Sequence, residues 1–177
     1  MSTTAAPPQT PTMPSQKQQF LDAYEQEHAK TMRVLRAYPR EKLDLQPHAK
    51  CKTARELAWM FVVEQGAMQQ ALTTGFDWSK PPVFPPAPDS FDAILGALDQ
   101  GHARIAGLVA GLSDEDLFRA VQFFTEPGKV GDMALHQFLS MVLCDQIHHR
   151  GQFSIYLRMA DGRVPSIYGP SLDEPWY

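Results

Sequence analysis

The sequence predicts an all-α four-helix bundle. Three observations carry that prediction: four long segments with helical apolar periodicity, no segment with secure strand alternation, and one proline-rich stretch long enough to cross a bundle. The chain has 177 residues, 44% of them hydrophobic, which suits a single domain with a continuous core. No internal repeat points to a solenoid.

Residues 1–14 are mostly Ser, Thr, Ala, Pro and Gln without apolar periodicity. Such a composition cannot bury enough surface to offset its ordering entropy, so it reads as a disordered tail ahead of one domain over residues 15–177. From Ser15, the residues Phe20, Ala23, Tyr24, Met32, Leu35 and Tyr38 recur at three- and four-residue intervals. Charged Glu25, Glu27, Lys30, Arg33 and Arg36 fall mainly between them, which predicts a first helix stopped near Pro39. Thr53-Ala54-Arg55-Glu56 has the form of a capping box, in which threonine and glutamate satisfy orphan amides reciprocally, and opens a second helix to about Thr74. Its apolar residues wrap most of the circumference, as expected of a helix packed between neighbours.

Gly75 is a C-cap candidate, and Pro81, Pro82, Pro85, Pro86 and Pro88 then prohibit helix by removing donors and fixing φ. This is the predicted crossover loop. Asp89 or Ser90 caps a third helix running from Phe91 to Gly111, and Ser113 to Leu117 reads as a short capped turn. Residues 121–130, with Pro127-Gly128, are irregular or a brief hairpin. Asp132 is the expected cap of a fourth helix that ends before Gly162, and the rest is an irregular C-terminal strap over the surface.

The formal charge of −4, without a lysine or arginine run, offers no footprint for nucleic acid or an anionic membrane. Cys51 and Cys144 lack C-x-x-C spacing, and there is neither a signal-peptide core nor an apolar run of membrane-spanning length. A reduced, cytoplasmic setting follows as the expectation, and it disfavours a Cys51–Cys144 disulfide.

The chemistry concentrates in Asp145-Gln146-Ile147-His148-His149-Arg150-Gly151-Gln152. Asp145 and His149 stand one turn apart on one helical face, a chelating arrangement, and Glu64 adds a second carboxylate if the second and fourth helices face each other. Without an ion, Asp145 instead accepts a hydrogen bond from His149 and Glu64 pairs with an arginine. Both readings stand at this point. His148 points about 100° away, toward another helix, the strap or a supporting role at the site. Arg150 and Gln152 are suited to pinning Tyr168-Gly169-Pro170-Ser171 to the last helix, or to substrate contact. Cys144 beside Asp145 reads as an inert buried thiol, because a neighbouring carboxylate raises thiol pKa, and Cys51 as a surface thiol. His28, His48, His102 and His136 are dispersed and read as surface or packing residues. Trp59, Trp78 and Trp176, with Tyr168 and Tyr177, are candidates for a pocket mouth or dimer seam, with core packing the simpler role for Trp59.

His148-His149-Arg150-Gly151-Gln152, Tyr156-Leu157-Arg158 and Val164-Pro165-Ser166-Ile167-Tyr168-Gly169-Pro170-Ser171 together resemble the DinB family of bacterial four-helix proteins, which has YfiT-like and thiol-transferase relatives. Glu56-Leu57-Ala58-Trp59 extends the resemblance to the second helix. It implies a cytoplasmic homodimer holding a divalent metal (zinc, nickel or manganese) through three histidines, one on the second helix and two at H-x-x-x-H spacing on the last. Here Asp145 stands at the first last-helix position and Met60 at the second-helix position. A thioether does not suit those metals among oxygen and nitrogen donors, so Met60 is expected in the core. The function implied is a metal-dependent small-thiol transferase or hydrolase, with Asp145, His149 and Glu64 as ligands or Glu64 as general base, and no organic cofactor. The alternative is a non-catalytic dimeric bundle that binds a small molecule or protein partner in the same pocket.

Overall fold

A computed structural model describes residues 13–80 and 83–177, and the expected tail (apart from its last two residues), Pro81 and Pro82 lie outside them. Four helices form: α1 (Gln16–Arg36), α2 (Ala54–Leu72), α3 (Phe91–Ala110) and α4 (Leu135–Met159). Three of them start where a side-chain oxygen relieves an orphan amide. Ser15 accepts from Gln18 N, Ser90 accepts from Ala93 N, and Thr53 and Glu56 complete a reciprocal capping box. The fourth departs from expectation. Asp132 and Met133 are held in an antiparallel ladder opposite Gln122 and Val121, so α4 starts only after Ala134, whose amide donates to the Gln137 side chain.

That ladder is a hairpin of β1 (Ala120–Glu126) and β2 (Lys129–Ala134), turning at Gly128 with φ +73°. It packs at the end of the bundle where α3 finishes and α4 begins. Its strands lack clean alternation: in β1 only Val121 is buried, and Phe124 is exposed.

Contacts at the helix ends give the directions. Lys17 in the first turn of α1 donates to the carbonyls of Ala110 and Leu112, just past α3, while Arg40 beyond α1 pairs with Asp92 at the start of α3. These two helices are antiparallel. Arg55 pairs with Asp89 near the starts of α2 and α3, and Arg104 donates to Gln69 near their ends, so α2 and α3 run parallel. Tyr156 Oη, late in α4, donates to the carbonyl of Lys52 just before α2. α4 is therefore antiparallel to α2 and parallel to α1, and the helices follow each other around the bundle in the order α1, α3, α2, α4.

Parallel neighbours cannot be joined by a short turn. Residues 73–80 and 83–90 lie along the chain's return over the length of α2, about 28 Å, as the proline-rich segment predicts. The return is anchored by Phe76 against Phe123 and Phe138, by Trp78 Nε1 donating to the carbonyl of Gln122, and by Trp59 Nε1 donating to the carbonyl of Pro85.

Two apolar clusters fill the interior. One gathers Leu35, Tyr38, Phe61, Leu98, Phe153 and Leu157 at one end; the other gathers Tyr24, Met68, Ile105, Phe138 and Leu139 toward the hairpin. Between them lies a layer of buried polar side chains: Glu27, Thr31, Glu64, Gln65, His102, Gln146 and Arg150. Burying a charge is costly unless it is paired, so this layer marks where the fold accepts a cost for polarity. Some expectations fail. Cys144, expected buried, is exposed, and Met60, expected in the core, is half-buried and belongs to neither apolar cluster; Cys51 is exposed as expected, and both cysteines are free thiols. Among the described residues, no helix is long and apolar enough to cross a membrane.

Candidate metal centre

The antiparallel pairing of α2 and α4 sets the middle of one helix against the middle of the other. Glu64 and His149 meet there, with His149 Nδ1 2.5 Å from Glu64 Oε1, and Asp145 sits one turn earlier on α4. Each of the three offers a ligand atom, and these atoms lie within 4.8 Å of one another. Glu64 is buried, His149 half-buried and Asp145 exposed, so the cluster opens to solvent on its Asp145 side.

The Glu64–His149 approach is close but not an aligned hydrogen bond. Neither Glu64 oxygen nor His149 Nδ1, all buried, has a hydrogen-bond partner of normal geometry. Burial pushes the Glu64 carboxyl above its usual range, with His149 opposing; the neighbouring Glu64 carboxylate in turn raises the His149 imidazole, with burial opposing. Both shifts favour the protonated forms, so binding a cation here would compete with protons. Two carboxylates and one imidazole suit a divalent ion such as zinc, nickel or manganese, and three protein donors leave coordination positions open. Orphaned buried carboxylate oxygens beside an imidazole fit such an ion chemically. Glu64 is not paired with an arginine, as the ion-free reading expected: the charged side chains beside it are His149 and Asp145.

The flanking residues divide. Arg150, 2% exposed, pairs with Glu27 Oε2 at 2.6 Å and donates to Tyr168 Oη at 2.6 Å, and Tyr168 Oη donates to the same glutamate. Lys30 adds a second cation to Glu27. Burial raises the Glu27 carboxyl, but hydrogen bonds from Lys30, Tyr168 and Arg150 outweigh it and leave the carboxyl below its usual range. Gln152 makes no hydrogen bond to the strap; its amide meets His148 Nε2 at 2.9 Å. His148 is exposed, so it packs against neither a helix nor the strap. Trp176 and Tyr177 are exposed at the chain end, while Trp59 packs partly against the core.

Sequence reasoning missed Glu27, which was assigned to the solvent face as a charged residue. The signal was present, since Tyr24, Glu27, Thr31, Val34 and Leu35 lie on one helical stripe and all are buried. His28 and His102, expected as surface or packing residues, are packing residues: their rings stack at 3.9 Å between α1 and α3, with Asp99 on His28 and Glu25 on His102.

Comparison with known proteins gives one family. The family model described as "DinB family" matches residues 13–176. The protein YrdA of Bacillus subtilis, itself uncharacterized, is 27% identical over 156 residues, covering 88% of this chain and 89% of its own. A DinB-like protein of Bacillus cereus superposes with a TM-score of 0.72 at 23% identity, over 85% of this chain and 97% of its own. YfiT of Bacillus subtilis, described as "a probable metal-dependent hydrolase with an unusual four-helix bundle topology", superposes with a TM-score of 0.61 at 17% identity, over 88% of this chain and 94% of its own. With the bundle and the match over nearly all its length together, this chain belongs to the DinB family.

Proposed function

We propose that this protein is a metal-dependent enzyme, a hydrolase or small-thiol transferase, whose divalent ion is held by Asp145, His149 and Glu64. The observation that supports it most is the convergence of three donors from two helices on one point, with the Glu64 carboxylate buried and unpartnered by any ordinary hydrogen bond. The description of YfiT as a metal-dependent hydrolase on a similar bundle supports the same reading. When bound, such an ion supplies Lewis acidity, lowering the pKa of water or of a thiol brought to it.

The chain's own residues divide the remaining work. Asp145 and His149, fixed at one-turn spacing on a helix with packed neighbours, hold their donors with little freedom to lose. Where Asp145 and His149 alone hold the ion, the Glu64 carboxylate beside them is placed to accept the proton a nucleophile loses on attack. Its raised pKa, caused by burial, brings it closer to the working range of a general base. In the family resemblance the protein works as a homodimer, and we adopt that as part of the reading, to be checked by sedimentation against a 19.9 kDa monomer.

Metal analysis tests the proposal. Protein purified without a histidine tag carries near-stoichiometric divalent metal, and Asp145→Ala and His149→Ala each lose it. A wild-type protein that stays empty after addition of zinc, nickel and manganese in turn would favour the second reading, a non-catalytic bundle. Met60 at the position where the resemblance expects a histidine is the observation on that side.

A further inference from the structure

On the outer face of α2 lies a cleft of about 460 Å³. Its floor is Trp59, Met60 and Val63, and its far wall is the returning proline-rich segment at Phe84 to Ala87. Met60, in its lining, lies one turn before Glu64 on the same side of α2, which puts this end of the cleft about one helical turn from the donors. The wall is fastened to the floor, because Trp59 Nε1 donates to the carbonyl of Pro85 at 2.7 Å, and this holds the indole and the segment in place. The apolar surface is unspent. Phe84 is 63% exposed and Met60, a polarizable and adaptable side chain, faces the cleft instead of the core.

The opposite wall is cationic. Lys50 and Lys52 line the cleft, and among the described residues their ammonium groups have neither an ion pair nor a hydrogen bond. The other lysines behave differently: Lys30, Lys42, Lys80 and Lys129 each pair with a carboxylate, and Lys17 donates to two carbonyls. One carboxylate lines the cleft, that of Glu56: its Oε2 accepts from Thr53 N and Oγ1, and the nearby charge of Lys52 helps hold the carboxyl below its usual range, leaving the cleft a net cationic lining. A preformed apolar floor beside two unpaired ammonium groups is complementary to a molecule with an apolar body and an anionic end.

We infer that this cleft binds a small carboxylic acid with an apolar or aromatic body, its carboxylate at Lys50 and Lys52 and its body on Trp59, Met60, Val63 and Phe84. That this acid is the substrate rests on the metal-dependent reading above; that the cleft binds it does not. In that orientation, the part of the molecule beyond Met60 faces Glu64, Asp145 and His149.

The test is a titration of the full-length protein in EDTA with phenylbutyrate and, separately, with its uncharged amide, phenylbutanamide, followed by NMR at the Trp59 indole N–H. The acid shifts that resonance and binds on the order of tenfold more tightly than the amide, the scale of one charge-assisted contact. In the Lys50→Gln/Lys52→Gln double variant the two ligands bind alike, while the ligand-free Trp59 resonance stays where it is in the wild type. Equal binding of acid and amide by the wild type, no response at Trp59 up to millimolar ligand, or a preference that survives in the double variant overturns the inference. EDTA keeps the two proposals separate. A protein that takes no metal leaves this titration intact, and a failed titration leaves the metal analysis intact.

Discussion

Glu27 and Glu64 lie in the same polar layer of the same bundle, both buried, and their surroundings are opposite. Glu27 is surrounded by donors: Arg150, Lys30 and the Tyr168 hydroxyl all reach its carboxylate. Glu64 faces one imidazole without an aligned hydrogen bond, with the exposed Asp145 beside it. Compensation at Glu27 brings its carboxyl below the usual range, and its shortage at Glu64 leaves the carboxyl above it. A buried charge that is fully partnered serves the fold, whereas one left short of partners marks a candidate functional site.

The largest test of this contrast is Arg150→Met. It leaves the buried Glu27 carboxylate with only Lys30 and the Tyr168 hydroxyl and is expected to cost about 3 kcal/mol in urea denaturation, the low end for removing one member of a buried pair. Adding Glu27→Gln to the same chain recovers part of that loss. Next comes metal. Saturating the wild type at a hundredfold excess over Kd stabilises it by about 2.7 kcal/mol, read as a rise in melting temperature. Glu64→Gln abolishes that rise yet leaves the metal-free protein as stable as the wild type or slightly more so, because it removes a poorly compensated charge. A smaller effect is expected for Tyr168→Phe, about 1 kcal/mol, with earlier proteolytic cleavage in the C-terminal strap as the more sensitive readout.

The smallest effect comes from a third polar spot, the His28–His102 stack, which Asp99, Glu25 and Tyr24 also face. Burial lowers the His28 pKa from its usual 6.5, with Asp99 opposing. A base whose folded pKa is depressed contributes stability above its unfolded pKa and loses it as pH falls through the folded value. Melting temperature therefore declines as the solution is acidified below about pH 6.5, and His28→Phe, which keeps a ring in the stack but removes the titration, flattens that decline.

How much of this was legible follows from where each signal is stored. The starts of α1, α2 and α3 are written locally, because Ser15, Thr53 and Ser90 place an oxygen where an orphan amide needs one. The start of α4 is not, since Asp132 has the right chemistry for a cap and is claimed by its ladder with Gln122. The hairpin was weakly legible because β1 buries only Val121 and so shows no alternation. At the candidate centre, the spacing of Asp145 and His149 is a local fact of α4. The approach of Glu64 depends on α2 and α4 pairing antiparallel, which no short stretch of sequence encodes. Glu27 and Met60 fail in the same way: each was assigned by residue type, and each is governed by what the neighbouring elements bring to it.

The separation of the donors along the chain has a consequence for biogenesis. Glu64 leaves the ribosome well before Asp145 and His149, and until α4 is made an ion would find only one of the three side chains. An ion held as proposed would therefore gain its full donor set only once α2 and α4 pack together, which would tie loading to closure of the bundle. The metal-free chain would then have to fold on its packing alone before any ion arrived.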